Sequence, residues 1–150
     1  MLHVIKRYLK RIAARRAGER SLSGLSGGDR ELISRIRSRK LTYLSDKKLA
    51  SLASTCHSIE EARLPGLFLE AGCALGGSAI LIATIKNPER PLFVYDVFGM
   101  IPPPTEEDSQ DVHDRYKAIV EGKSTGIGGD KYYGYQEDLY DVVQSNLKSF

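Results

Sequence analysis

The 150-residue chain is poor in cysteine, and its two, Cys56 and Cys73, have no metal-ligand spacing. That argues against a disulfide framework, so a reducing, cytoplasmic setting is expected. Long hydrophobic runs are also missing. No stretch approaches the roughly 18 apolar residues of a membrane-spanning helix, and the N-terminus lacks the apolar core and small-residue cleavage site of a signal peptide. No internal repeat is visible. Convincing strands are scarce too: two can be read, where a doubly wound sheet has about five or more. The chain therefore reads as a single domain at most, and as an unfinished one. Acidic residues are scarce only at the start. Residues 1–40 hold 12 Lys and Arg against 3 acids, whereas 41–150 hold 10 against 16, so the two parts are expected to do different work.

What is present centres on residues 67–96. Leu67 to Ala71 is short and apolar, as for a strand covered on both faces, and runs into Gly72, Gly76 and Gly77. Ser78 to Lys86 is long enough for about two and a half helical turns before Asn87-Pro88 stops it. Pro91 to Asp96 reads as a second strand ending in an acid. A right-handed βαβ unit would bring the glycine turn and Asp96 together at the carboxyl end of a parallel sheet, where open α/β folds bind ligands.

Spacing narrows the ligand. A dinucleotide fingerprint would place glycine at 72, 74 and 77, but the middle position, which admits a pyrophosphate, is Ala74. Glu70 adds a carboxylate that repels phosphate and welcomes an amino group, a sulfonium or a hydroxyl. S-adenosylmethionine carries all three. Asp96, 19 residues after Gly77, stands where a carboxylate accepts ribose hydroxyls. The competing reading is structural: a glycine turn for tight helix packing and an Asp that caps the next turn.

The stretch Phe68-Leu69-Glu70-Ala71-Gly72 with Gly76-Gly77-Ser78, followed by Tyr95-Asp96-Val97-Phe98-Gly99-Met100-Ile101-Pro102, resembles the macrocin O-methyltransferase family over roughly Lys40 to Phe150. The resemblance implies a Rossmann-like class I methyltransferase fold and divalent-metal-dependent, S-adenosylmethionine-dependent methylation of sugar hydroxyls. It makes Glu70, Gly72 and Asp96 cofactor contacts, with Gly76, Gly77 and Ser78 completing the cofactor-binding turn. The family's metal-binding and general-base aspartates lie further along its chain, and no matching segment is found here. Magnesium is thus implied by the resemblance alone, with no catalytic residue and no metal ligand assigned.

Elsewhere the chain reads as follows. Residues 1–17 read as a basic amphipathic helix, which would place Leu2, Ile5, Leu9 and Ile12 on one face and Lys6, Arg7, Lys10, Arg11, Arg15 and Arg16 around it. It suits an anionic membrane surface or packing on the domain; a targeting peptide is a third reading. Nucleic-acid binding is not expected, because no recognition motif accompanies the charge. Residues 18–28 read as a flexible linker and 29–150 as the cofactor-binding part of the domain. Asp29 is expected to cap a helix to about Arg39, and Ser45 one over Asp46 to Arg63, before Pro65-Gly66. His57 is assigned no chemistry. Three prolines and the acids Glu106, Glu107, Asp108, Asp111 and Asp114 make an irregular loop with a solvated acidic face; a metal site from these acids is the alternative, although the spacing fits no ordered calcium loop. A short helix over Val112 to Val120 follows. Gly122 to Tyr135 mixes glycines with Tyr132, Tyr133 and Tyr135, either as a lid over the site or as a merely irregular loop, before an amphipathic helix over Gln136 to Lys148.

The sequence thus predicts an α/β, Rossmann-like methyltransferase chain, truncated after its first βαβα and preceded by N-terminal helices. Its expected function is O-methylation of a glycoside or glycan, with little turnover by this chain alone. It is expected to be cytoplasmic or peripheral on the inner membrane face, and open to homo-oligomer formation. A NAD-binding oxidoreductase fragment and a non-enzymatic, membrane-associated interaction protein remain the alternatives.

Overall fold

The computed structural model describes residues 24–150, so the basic segment 1–17 and most of the 18–28 linker lie outside the described residues. The described chain is α/β: helices α1 (Gly27–Ser38) and α2 (Asp46–Glu61), strand β1 (Phe68–Ala71), helix α3 (Gly77–Ile85), strand β2 (Leu92–Tyr95), and helices α4 (Gln110–Val120) and α5 (Leu139–Lys148). The strands pair in parallel, Phe68 with Leu92 through Ala71 with Tyr95. No third strand is found among the described residues; Thr125 and Lys131 make an isolated antiparallel bridge.

Helix ends follow local chemistry. Ser26, not Asp29, caps α1: its hydroxyl accepts the Asp29 amide at 3.0 Å and donates to the Asp29 carboxylate at 2.7 Å. The helix therefore starts at Gly27, inside the expected linker. His57 of α2 reaches the same carboxylate at 3.0 Å, so this histidine ties α2 to the start of α1. Burial works against the charge of Asp29, but the hydrogen bonds from Ser26 and His57 outweigh it and hold the carboxyl below the usual aspartate range. Ser45 caps α2 as expected. The last helix starts at Leu139 rather than Gln136, because Tyr133–Tyr135 forms a separate tight turn.

The core lies on one side of the sheet. Leu32, Ile33 and Ile36 of α1, Leu49 and Ala53 of α2, and Ile80 and Leu81 of α3 are buried together with Leu41. A second cluster, Cys73 with Leu139 and Val143 of α5, sits by the glycine turn and is flanked by Val94, Phe98 and Tyr133. At the amino end of the strands Arg90 clamps Glu60 at 2.6 Å and the Leu64 carbonyl at 2.7 Å, beside a broad open cavity.

The expectation of strands covered on both faces is corrected. Period-two alternation turns Phe68, Glu70, Leu92 and Val94 inward, while Leu69, Phe93 and Tyr95, with Leu67 and Val97 beyond the strand ends, are 47–61 % exposed. All five described helices leave that face bare. Apolar runs signal burial potential but not which layer supplies it.

Candidate functional site

The site grows from the turn after β1. The Gly72 amide donates to the Tyr95 carbonyl at 2.7 Å, extending the ladder by one residue, and Gly72 then takes a left-handed φ of 85° with open space where a side chain would stand. Gly76 repeats the left-handed conformation at φ 88°. Gly77 is required for a different reason: a Cβ there would lie 2.6 Å from the Leu41 carbonyl and 2.9 Å from Ile36. Its place is therefore the packing of α3 against α1 and the connector after it.

Asp96, at the end of β2, comes back to this turn. Its Oδ2 accepts the Cys73 amide at 2.7 Å and the Ala74 amide at 3.1 Å, and its Oδ1 accepts the Phe98 amide at 3.1 Å. Ala74 and Phe98 both have left-handed backbones, φ 50° and 49°, which side chains with a Cβ adopt at a cost of about 1–2 kcal/mol. One carboxylate thus pins two strained residues. Three of its roughly four acceptor positions are occupied, so one remains toward a ligand rather than the two sought for a ribose.

Glu70 points to the helix side of β1. Ser78, in the first turn of α3, donates to its Oε1, while its Oε2 is buried without a hydrogen-bond partner. Burial and the negative charge of Asp96, only partly offset by Ser78, raise the Glu70 carboxyl above the usual glutamate range. Cys73 feels the same environment: burial, then Asp96 and Glu70, push its thiol up to about 12, so it is no nucleophile.

The structure also brings in aromatic rings. The connector Lys40 to Leu44 folds back on the turn, its Leu41 carbonyl accepting the Gly77 amide at 3.0 Å, and this presents Tyr43, half exposed, beside Tyr133 at 5.8 Å between centroids. Tyr132 backs Tyr133 at 4.6 Å. Gly134 permits the approach, since a Cβ there would meet the Tyr132 ring at 2.6 Å and the Gly99 carbonyl at 3.3 Å. The glycine-tyrosine segment therefore lies beside the turn, with Tyr133 packed on the cluster of Cys73, Leu139 and Val143. Tyr43 had no signal in the sequence, because nothing local shows that its connector doubles back.

Of the six expected cofactor contacts, Glu70, Gly72, Ser78 and Asp96 gather around one turn, whereas Gly76 and Gly77 shape its far side. The backbone donors are telling. The amides of 72, 73, 74, 76 and 77 are engaged by Tyr95, Asp96, Asp96, Cys73 and Leu41 respectively, so this turn is not an open cradle for an anion. The buried acceptor of Glu70 and the free position on Asp96 ask instead for a donor, such as an amino group or hydroxyl. The residues present do not fit a divalent metal: among the described residues no three His, Cys, Asp or Glu converge. Likewise, no helix among them is long and apolar enough to cross a membrane.

A model of the macrocin O-methyltransferase (TylF) family matches residues 4–126, starting upstream of the segment in which the resemblance was read and ending inside the glycine-tyrosine loop. No curated protein and no solved structure matches the chain.

Proposed function

The chain belongs to the macrocin O-methyltransferase family, and on that premise we propose that the Glu70–Asp96 turn binds S-adenosylmethionine for methyl transfer to a hydroxyl of a glycoside or glycan. The observation that carries the proposal is the pair of carboxylates at the turn: Asp96 takes up the Cys73 and Ala74 amides, which a phosphate would need, and Glu70 places a second carboxyl beside them. In this reading the βαβ unit is the start of a Rossmann-like sheet.

The cofactor supplies an electrophilic methyl group on a positively charged sulfur. The chain's own residues hold it. Glu70, fixed by Ser78, supplies a carboxyl beside the turn for the amino group; Asp96 offers its remaining acceptor position to a ribose hydroxyl; Gly72 leaves room for the ligand to approach the backbone. No step is assigned to a metal, because the described residues assemble no site for one.

A NAD-binding reading is disfavoured by the same donors, since a pyrophosphate would meet occupied amides and two carboxylates. Residues 1–17 we assign to an anionic membrane surface, which would hold the protein peripherally near a glycan acceptor. The deciding experiment is calorimetric titration of the 150-residue chain with S-adenosylmethionine and, separately, NAD. Binding of the first without the second is expected; binding of NAD alone would overturn the assignment.

A further inference from the structure

We propose that residues 102–135 form a hinged flap against the carboxyl end of the sheet, and that Lys40 is the latch that holds it shut through Asp130.

The segment is built as a body of its own. Of α4 only Ile119 is buried, and no other described helix or strand packs extensively on it. Its partners come from the loop that follows. The Tyr135 hydroxyl donates to the Ile119 carbonyl at 2.6 Å and accepts the Ser124 amide at 3.2 Å, while Arg115 of α4 lies 5.7 Å from the centroid of the Tyr132 ring. The loop closes on itself through the Gly126 amide, which donates to the Asp130 carbonyl, and through the Thr125–Lys131 bridge. The flanks, Pro102 to Pro104 and Gln136 to Asp138, are largely exposed.

Attachment to the rest of the chain rests on few side chains. Tyr133 meets Tyr43 at 5.8 Å and packs on Cys73, Leu139 and Val143. The other tie is Lys40. The Lys40 amide donates to Arg37 at 2.9 Å and the Leu41 amide to Ile36 at 3.1 Å, the pair of bonds that ends a helix on a left-handed residue, usually glycine. A lysine holds that conformation, φ 55°, at a steric cost. Its Nζ donates to both Asp130 oxygens, at 2.8 and 2.9 Å, and Gly128 gives the side chain passage, since a Cβ there would stand 3.2 Å from Lys40 Cε. Backbone strain, a missing side chain and a two-oxygen ion pair thus converge on one contact. Arg63 ends α2 in the same left-handed way, φ 50°, but lines the cavity at the amino end of the strands.

The ion pair is about half exposed on both sides, so salt screens it and it holds the flap only weakly. Opening carries Tyr133 off the Cys73 cluster and bares that side of the glycine turn. Elements with so little shared burial open locally, well below the energy of global unfolding.

Hydrogen exchange read by mass spectrometry on the 150-residue chain tests the latch, with residues 122–135 compared against α3 and urea midpoints measured alongside. In Lys40→Gly the loop should exchange about threefold faster while α3 is unchanged and the midpoint holds or rises, because glycine suits the helix end. Arg63→Gly makes the same backbone change elsewhere and should leave the loop as in wild type. Asp130→Lys should open the loop, and adding Lys40→Asp should close it again. High salt should speed loop exchange in wild type but hardly in Lys40→Gly. Loop exchange in Lys40→Gly equal to wild type, or a double reversal no slower than Asp130→Lys alone, would overturn the latch.

Discussion

Removing the Asp96 carboxylate should loosen the site's backbone before it touches any ligand. Three amides, those of Cys73, Ala74 and Phe98, lose their acceptor in Asp96→Ala. A hydrogen bond to a charged acceptor contributes about 1.5–3 kcal/mol, but the carboxylate is half-buried and water can replace part of it, so roughly 1 kcal/mol each is the sounder figure. Relief of repulsion with Glu70 offsets a little. A loss of about 3 kcal/mol follows, a large share of the 5–15 kcal/mol typical of a domain. The strain at Ala74 gives a sharper check. With Asp96 in place, Ala74→Gly should stabilise by up to about 1 kcal/mol by removing the left-handed cost of a Cβ. Once the clamp is gone the turn is free to relax, and the same substitution should contribute almost nothing. Urea unfolding followed by far-ultraviolet circular dichroism on wild type, both single variants and the double variant measures the coupling. An equal gain from Ala74→Gly in both backgrounds, or a cost below 1 kcal/mol for Asp96→Ala, would refute the clamp.

Three further outcomes are expected. Because Glu70 is raised in the free protein and a cationic ligand favours its ionised form, S-adenosylmethionine binding should release a proton and tighten as pH rises through the glutamate's elevated range; Glu70→Gln should flatten that dependence, and an unchanged pH profile would exclude Glu70 as the ligand's partner. The bare sheet face should drive self-association, since each such side chain gains about 1.5–3 kcal/mol on full burial; sedimentation should be concentration-dependent, and a Leu69→Lys, Phe93→Lys chain that sediments like wild type would place the contact elsewhere. The basic segment 1–17 should pellet the protein with anionic liposomes, each residue contributing about 1 kcal/mol near the surface, with the effect lost in high salt; equal pelleting with neutral liposomes would contradict the electrostatic part.

Local pattern by itself determined the βαβ order, the glycine turn, the caps at Ser45 and the position of Glu70 and Asp96 at the ends of adjacent strands. These follow from short-range chemistry: period, breakers and turn residues act within a few positions. The Glu70–Asp96 pair was legible because parallel strands joined by a short helix must place their carboxyl ends side by side. Tertiary structure alone decided the rest. Asp96 turns out to serve the backbone first, since which lone pairs remain for a ligand depends on amides 22 and 23 residues away. His57 joins Asp29 across 28 residues, and Tyr43 reaches the site only because its connector docks on Gly77. The bare face of the sheet is the same lesson from the other side: apolar alternation specifies that Leu69, Phe93 and Tyr95 share a face, whereas whether that face is covered depends on long-range packing, which no local pattern encodes.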